Sequence, residues 1–167
     1  MAIRPNKPAV KKSSYEFLVS ACLAGANCTY RGKNKLSVPI KELVDSGKAI
    51  AVCPEVMGGL PIPRENSEIA GGDGLSVLRR KAAVMSVSGI DLSENYVAGA
   101  RRVLSLAKKY TIKKAILKSK SPACGFGMIY DGTFTRTLKK GDGVLACLLR
   151  VNGIAIHTER YKLKRKT

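Results

Sequence analysis

The sequence predicts an α/β fold: a largely parallel central sheet flanked by helices, with a cluster site at the carboxyl ends of the strands. Three observations predict it. Short apolar runs alternate with segments of helical periodicity. Gly and Pro punctuate their boundaries. Three of the five cysteines come directly after apolar runs or in the loops that follow them. A chain of 167 residues, 45% hydrophobic and 25% charged, has enough apolar material for a core without cross-links.

Each element has a local reason. Residues 15–21 (YEFLVSA) form a short apolar run and read as the first strand. Residues 36–46 read as a short helix, with Ser37 as cap and Gly47 as stop. Residues 49–52 are a second buried strand. Residues 54–76 are rich in Gly and Pro and read as a long, shaped loop, which in a compact domain is usually functional. A strand is expected over 82–87. The longest helix is expected over 93–110, capped by Ser93, with Glu94 in its first turn and Lys108 and Lys109 in its last. Its core face should carry Val97, Ala100, Leu104 and Ala107. Residues 114–117 (KAIL) give a third buried strand, 142–152 a helix begun by Asp142 and ended by Gly153, and 154–157 the last strand.

Thirty Lys+Arg against twelve Asp+Glu give a formal net charge of +18. Much of it lies in a basic arm over 1–14 and a basic tail over 159–167, but the single domain between them, 15–158, is also net positive. Such a field attracts polyanions, nucleic acid first. No apolar run of about 18 residues exists to span a membrane. The basic N-terminal stretch lacks the apolar core of a secretory signal, so a cytoplasmic location is expected.

Cys22, Cys53 and Cys124 fall at the carboxyl ends of expected parallel strands, where open α/β sheets bind ligands. Each is flanked by Gly, Pro or small residues, which let backbone approach a bulky ligand. Cys28 is close enough in sequence to reach the same site. Cys147 shares a helix face with Val144, Leu148 and Val151 and reads as core. Close-spaced Cys pairs of the structural zinc type are absent. An iron–sulfur cluster can gather distant ligands, so the spacing leans that way; inert buried thiols are the alternative.

Four segments, LVSACLAGANCTYRGKNK, VCPEVMGGLPIPRENSEI, ILKSKSPACGFGMIYDGTFT and GDGVLACLLRVNGI, resemble the TudS-like thiouracil desulfidase family, also catalogued as domain of unknown function 523. The resemblance runs from about 17 to 156. It implies a [4Fe–4S] cluster held by Cys22, Cys53 and Cys124, with one iron lacking a protein ligand. That iron would act as a Lewis acid on the sulfur of a thiolated pyrimidine, which water replaces with oxygen without net redox change. The implied substrates are 2- or 4-thiouracil, a thiouridine nucleoside, or thiouridine in tRNA; erasing the last would remove a tRNA modification.

Proximity to these ligands nominates Glu55, Ser121 and Ser119 as catalytic residues, with Glu65 and Glu68 as alternative carboxylates. Arg64, Tyr30, Tyr130 and Asn34 are candidate substrate contacts. The segment VLRRK (77–81) and Arg31 depart from the expected pattern by adding positive charge, which favours an anionic substrate; tRNA would then engage the basic surface and tails. A non-catalytic RNA-binding module built round a four-ligand metal or cluster site, with Cys28 as the fourth ligand, is the alternative function.

Overall fold

The computed structural model describes residues 14–163. The expected basic arm up to residue 13 and the last four residues of the tail lie outside them. Four parallel strands form the central sheet: β1 (Phe17–Ser20), β2 (Ala49–Val52), β5 (Lys114–Leu117) and β8 (Ala155–Thr158). Their order is β2-β1-β5-β8. The chain leaves β1 for β2 on one side and returns to β5 on the other. The switch point of the sheet therefore lies between the carboxyl ends of β1 and β5. There Ser20 Oγ accepts the Lys118 amide at 2.9 Å, tying the two strand ends together.

The helices are α1 (Val38–Asp45), α2 (Pro54–Met57), α3 (Gly74–Leu78), α4 (Ser93–Lys109) and α5 (Val144–Val151). Strand alternation sorts the core into two layers. Leu18, Val52, Ala115, Leu117 and Ile156 pack with residues of α4 and α5, including Tyr96, Val103, Leu145 and Leu149. Phe17, Val19 and Ile116 face Ile40 of α1 and a 3-10 turn over Ala21–Ala24. Among the described residues no helix is long and apolar enough to cross a membrane.

Several expectations are corrected. The long loop over 54–76 contains α2, β3 (Ser67–Ala70) and α3. Pro54 opens α2, and Asp73 caps α3 by accepting the Ser76 amide. The strand expected over 82–87 is β4 (Ala83–Ser86), which pairs antiparallel with β3 outside the parallel sheet. A further antiparallel pair, β6 (Met128–Tyr130) with β7 (Leu138–Lys140), was not expected at all.

Ser93 does not cap α4; its hydroxyl accepts the Val84 amide at 3.0 Å and so fastens β4 to the helix start. The buried face of α4 is Tyr96, Gly99, Ala100, Val103 and Ala107, while Val97 and Leu104 are only partly buried. Asp142 does not start α5, whose N-cap is Gly143. Its carboxylate instead accepts the Gly127 amide and the Arg150 guanidinium, both at 2.9 Å. Cys147 is core, 1% exposed, but Val151 faces solvent. The start of the expected tail packs on the body: Tyr161 stacks on His157 with centroids 4.0 Å apart and approaches Phe17.

Candidate active site

Each expected ligand thiol sits at the carboxyl edge on backbone that is pinned locally. Cys22 lies in the 3-10 turn after β1, and Gly25 ends that turn at φ 96°, a conformation glycine adopts without strain. Cys53 is the N-cap of α2. Helix α2 rests directly on α4. A Cβ on Gly99 would lie 1.8 Å from the Pro54 carbonyl oxygen, and one on Gly58 2.0 Å from that of Asn95. Only glycine allows this approach. It fixes Cys53 and Glu55 against the longest helix.

Cys124 lies in a tight turn whose amides at 123 and 124 both donate to Ser121 Oγ at 3.0 Å. The first amides of α5, Val144 and Leu145, donate to the Pro122 and Ala123 carbonyls at 2.9 Å, clamping that turn. Lys120 takes a left-handed φ of 67°, which swings the chain from Ser119 to Ser121.

The thiols converge. Cys28 lies near enough to the Cys22 and Cys53 thiols to feel both, and Cys53 Sγ lies 3.9 Å from the Cys28 carbonyl oxygen. Closeness to Cys22 and burial push the Cys28 thiol up to about 11, although Cys53 and Arg64 pull the other way. Contact with Cys28 and burial push the Cys53 thiol up. Burial pushes the Cys124 thiol up, against a contact with Ser20, and it feels Glu55, Cys53 and Cys28. Without a cation the site therefore favours neutral thiols; iron among them would reverse that and draw out thiolates. Among the described residues no three His, Cys, Asp or Glu close on a single metal-ion position. A cluster would ask for less, because it offers several irons rather than one position, and cysteines drawn from separate loops, buried at Cys22 and Cys124 and half-buried at Cys53, fit it.

Glu55 follows Cys53 by two residues and forms an ion pair with Arg64, the side chains 16% and 5% exposed. Arg64 also donates to the Cys28 carbonyl at 2.9 Å and to that of Pro61 at 3.2 Å. Its guanidinium is thus bound within the protein, tying the Cys28 loop to Glu55. Burial lifts the Glu55 carboxyl above the ordinary value of 4.5, opposed by Arg64 and by a hydrogen bond from Tyr96. Tyr96 is itself buried and hydrogen bonded to Ser67.

The other candidates spread round this edge. Ser119 Oγ donates to Glu159 Oε1 at 2.7 Å. Asn34 donates to Asn27 at 2.8 Å and lines a cavity of about 570 Å³ together with Leu23, Lys118 and Glu159. Tyr30 is half-exposed under the Arg31 guanidinium, 5.4 Å from its ring centre. Tyr130 lies on β6, paired with Leu138. Glu65 is at the surface on Ser88. Glu68 is buried and accepts the Gly132 and Phe134 amides. The departing segment lies elsewhere: Val77, Arg80 and Lys81 line a cavity of about 400 Å³ beside α4 that no cysteine borders. Sequence reasoning missed Lys118 and Glu159, although a single acid among the bases of the tail was a usable signal.

An open α/β sheet with thiols gathered at its switch point defines a thiol-centred α/β enzyme. The chain belongs to the 2-thiouracil desulfurase family, whose model matches residues 17–161. It is 44% identical over 142 residues to the uncharacterized protein YbbK of Bacillus subtilis (strain 168), a match covering 85% of this chain and 94% of that one. It is similar to the solved structure of the [4Fe–4S]-dependent thiouracil desulfidase TudS. The TM-score is 0.76 at 37% identity, over 87% of this chain and 91% of that one. The resemblance read from the four sequence segments is borne out, and so is the fold class.

Proposed function

We propose that this chain is a [4Fe–4S]-dependent desulfidase that exchanges the sulfur of a thiolated pyrimidine for oxygen from water and releases sulfide. The observation that carries this reading is the gathering of buried and half-buried thiols from three strand ends in a chain of the 2-thiouracil desulfurase family. Cys22, Cys53 and Cys124 would hold the cluster and leave one iron without a protein ligand. When bound, the cluster supplies a Lewis acid that polarises a C=S bond. The remaining work falls to the chain. Glu55 is a buried carboxyl two residues from Cys53, held in place by Arg64, and is the candidate general acid/base for moving protons between water and leaving sulfur. Ser119 is the candidate hydroxyl. The exchange balances as thione plus water giving carbonyl plus hydrogen sulfide.

Free 2- or 4-thiouracil is the substrate favoured here, and a thiouridine in RNA is the competing one. The two separate by salt dependence, because contacts from Lys and Arg to phosphates weaken steeply with salt and a free base has no phosphates. The reading is tested by iron and acid-labile sulfide content, a visible spectrum, and loss of the 2-thiouracil absorbance on protein reconstituted without oxygen. About four irons and four sulfides per chain with turnover are expected. Little iron, or stoichiometric zinc, would overturn it.

A further inference from the structure

Where β5 and β8 end, three residues form a closed hydrogen-bonded group. Glu159 Oε1 accepts from Ser119 Oγ at 2.7 Å and from Lys118 Nζ at 3.0 Å. Glu159 Oε2 accepts the Ser119 amide at 2.9 Å. Lys118 Nζ also lies 3.3 Å from Ser119 Oγ and 3.1 Å from the Ser119 carbonyl oxygen. The Ser119 hydroxyl is therefore fixed in direction: it donates to the carboxylate and accepts from the ammonium. Lys118 and Glu159 line the 570 Å³ cavity at the carboxyl edge. The carboxylate that holds the Ser119 hydroxyl therefore borders that cavity.

We infer that Glu159 is a positioning residue of the reaction, holding the Ser119 hydroxyl as one step of a proton path to the cavity. The inference rests on the desulfidase reading. The step balances. Ser119 Oγ takes a proton from the substrate side on its free lone pair and yields its own to Glu159 Oε1. Glu159 then passes that proton to water in the cavity, and the reverse sequence delivers one. Lys118 keeps the carboxylate ionised and ready to accept. A structural tie would explain the group only weakly, because an ion pair with both side chains about a quarter exposed adds little to stability.

The test is a double-mutant cycle on reconstituted protein turning over 2-thiouracil. Glu159→Gln should keep KM and iron content within about twofold while kcat falls about tenfold or more, less than the roughly hundredfold minimum for losing an acid–base group itself, because Glu159 acts through Ser119. Glu159→Asp should recover part of the loss. Ser119→Ala combined with Glu159→Gln should be no slower than Ser119→Ala alone, because both act through one hydroxyl. Independent, additive effects would overturn the inference, as would an unchanged kcat in Glu159→Gln. A kcat loss that tracks a lowered Tm and is not recovered by Asp would also overturn it. A wild-type chain that holds a cluster yet turns over no thiopyrimidine would bring down the desulfidase reading and this inference with it. Wild-type turnover with normal Glu159→Gln brings down this inference alone.

Discussion

Two carboxylates stand at the same sheet edge, each paired with a cation, and they are set in opposite directions. Glu55 meets Arg64 in a place where the side chains are 16% and 5% exposed. Burial dominates there and lifts its carboxyl above 4.5. Glu159 meets Lys118 where the side chains are 25% and 27% exposed. Burial is the largest single influence on it too and pushes upward. Hydrogen bonds from Ser119, from the Glu159 backbone amide and from Lys118 together outweigh it, so the Glu159 carboxyl sits below 4.5. The difference teaches that a cation partner alone does not set a carboxylate. What decides is how many donors reach it for each degree of lost water. Environments that push two carboxyls apart are a common basis for dividing acid and base roles within one site.

The largest effect comes from removing what both groups would serve. Cys124→Ser should abolish cluster retention and 2-thiouracil turnover, read as iron content near background. Cys28→Ser should leave iron content near that of the wild type, because three thiols suffice under the proposed reading. Loss of iron in Cys28→Ser would make the site a closed four-thiol one and leave the two carboxylates without an open iron to serve.

Next is a direct contrast of the two pairs. Arg64→Met leaves a largely buried carboxylate without its cation, and the Cys28 carbonyl without its guanidinium donor. A loss of about 3–5 kcal/mol in urea unfolding at neutral pH is expected, as for other broken buried pairs. Lys118→Met breaks a pair with more access to water and should cost about 0–1 kcal/mol. Equal costs would break the comparison, because burial would then not be what distinguishes the two carboxylates.

The contrast also marks what could be read in the sequence. The four parallel strands were legible because each is a short apolar run between helix-forming segments, and that alternation placed Cys22, Cys53 and Cys124 at one edge. The antiparallel pairs were not legible. Strand β3 reads SEIA and β7 reads LKK, too short and polar to show a period. Strand β3 is held instead by tertiary bonds, such as those Glu68 accepts from the Gly132 and Phe134 amides. Glu55 was legible by its place beside Cys53. Its clamp by Arg64 was not, since Arg64 read as a free contact for substrate. Glu159 was hidden for a related reason. It lies in a basic segment that reads as tail, and only the return of β8 beside β5 brings it to Ser119, forty residues away in sequence.

The smallest effect is also the sharpest on sign. The Glu159 carboxyl is lowered from 4.5 in the folded protein, so the folded state binds its proton more weakly than the unfolded chain does. Its contribution to stability is therefore fully present above about 4.5 and is lost as pH falls through the lowered value. Urea unfolding of wild type and Glu159→Gln should differ by about 1 kcal/mol or less at neutral pH, as for a partly exposed pair, and the gap should close on acidification. A lifted carboxyl would give the opposite slope, with its stabilisation greatest below 4.5 and falling as pH rises. A gap that widens in acid would mean that burial, not the hydrogen-bond donors round it, governs Glu159. The two carboxylates would then be set the same way, and the division of roles between them would have no electrostatic basis.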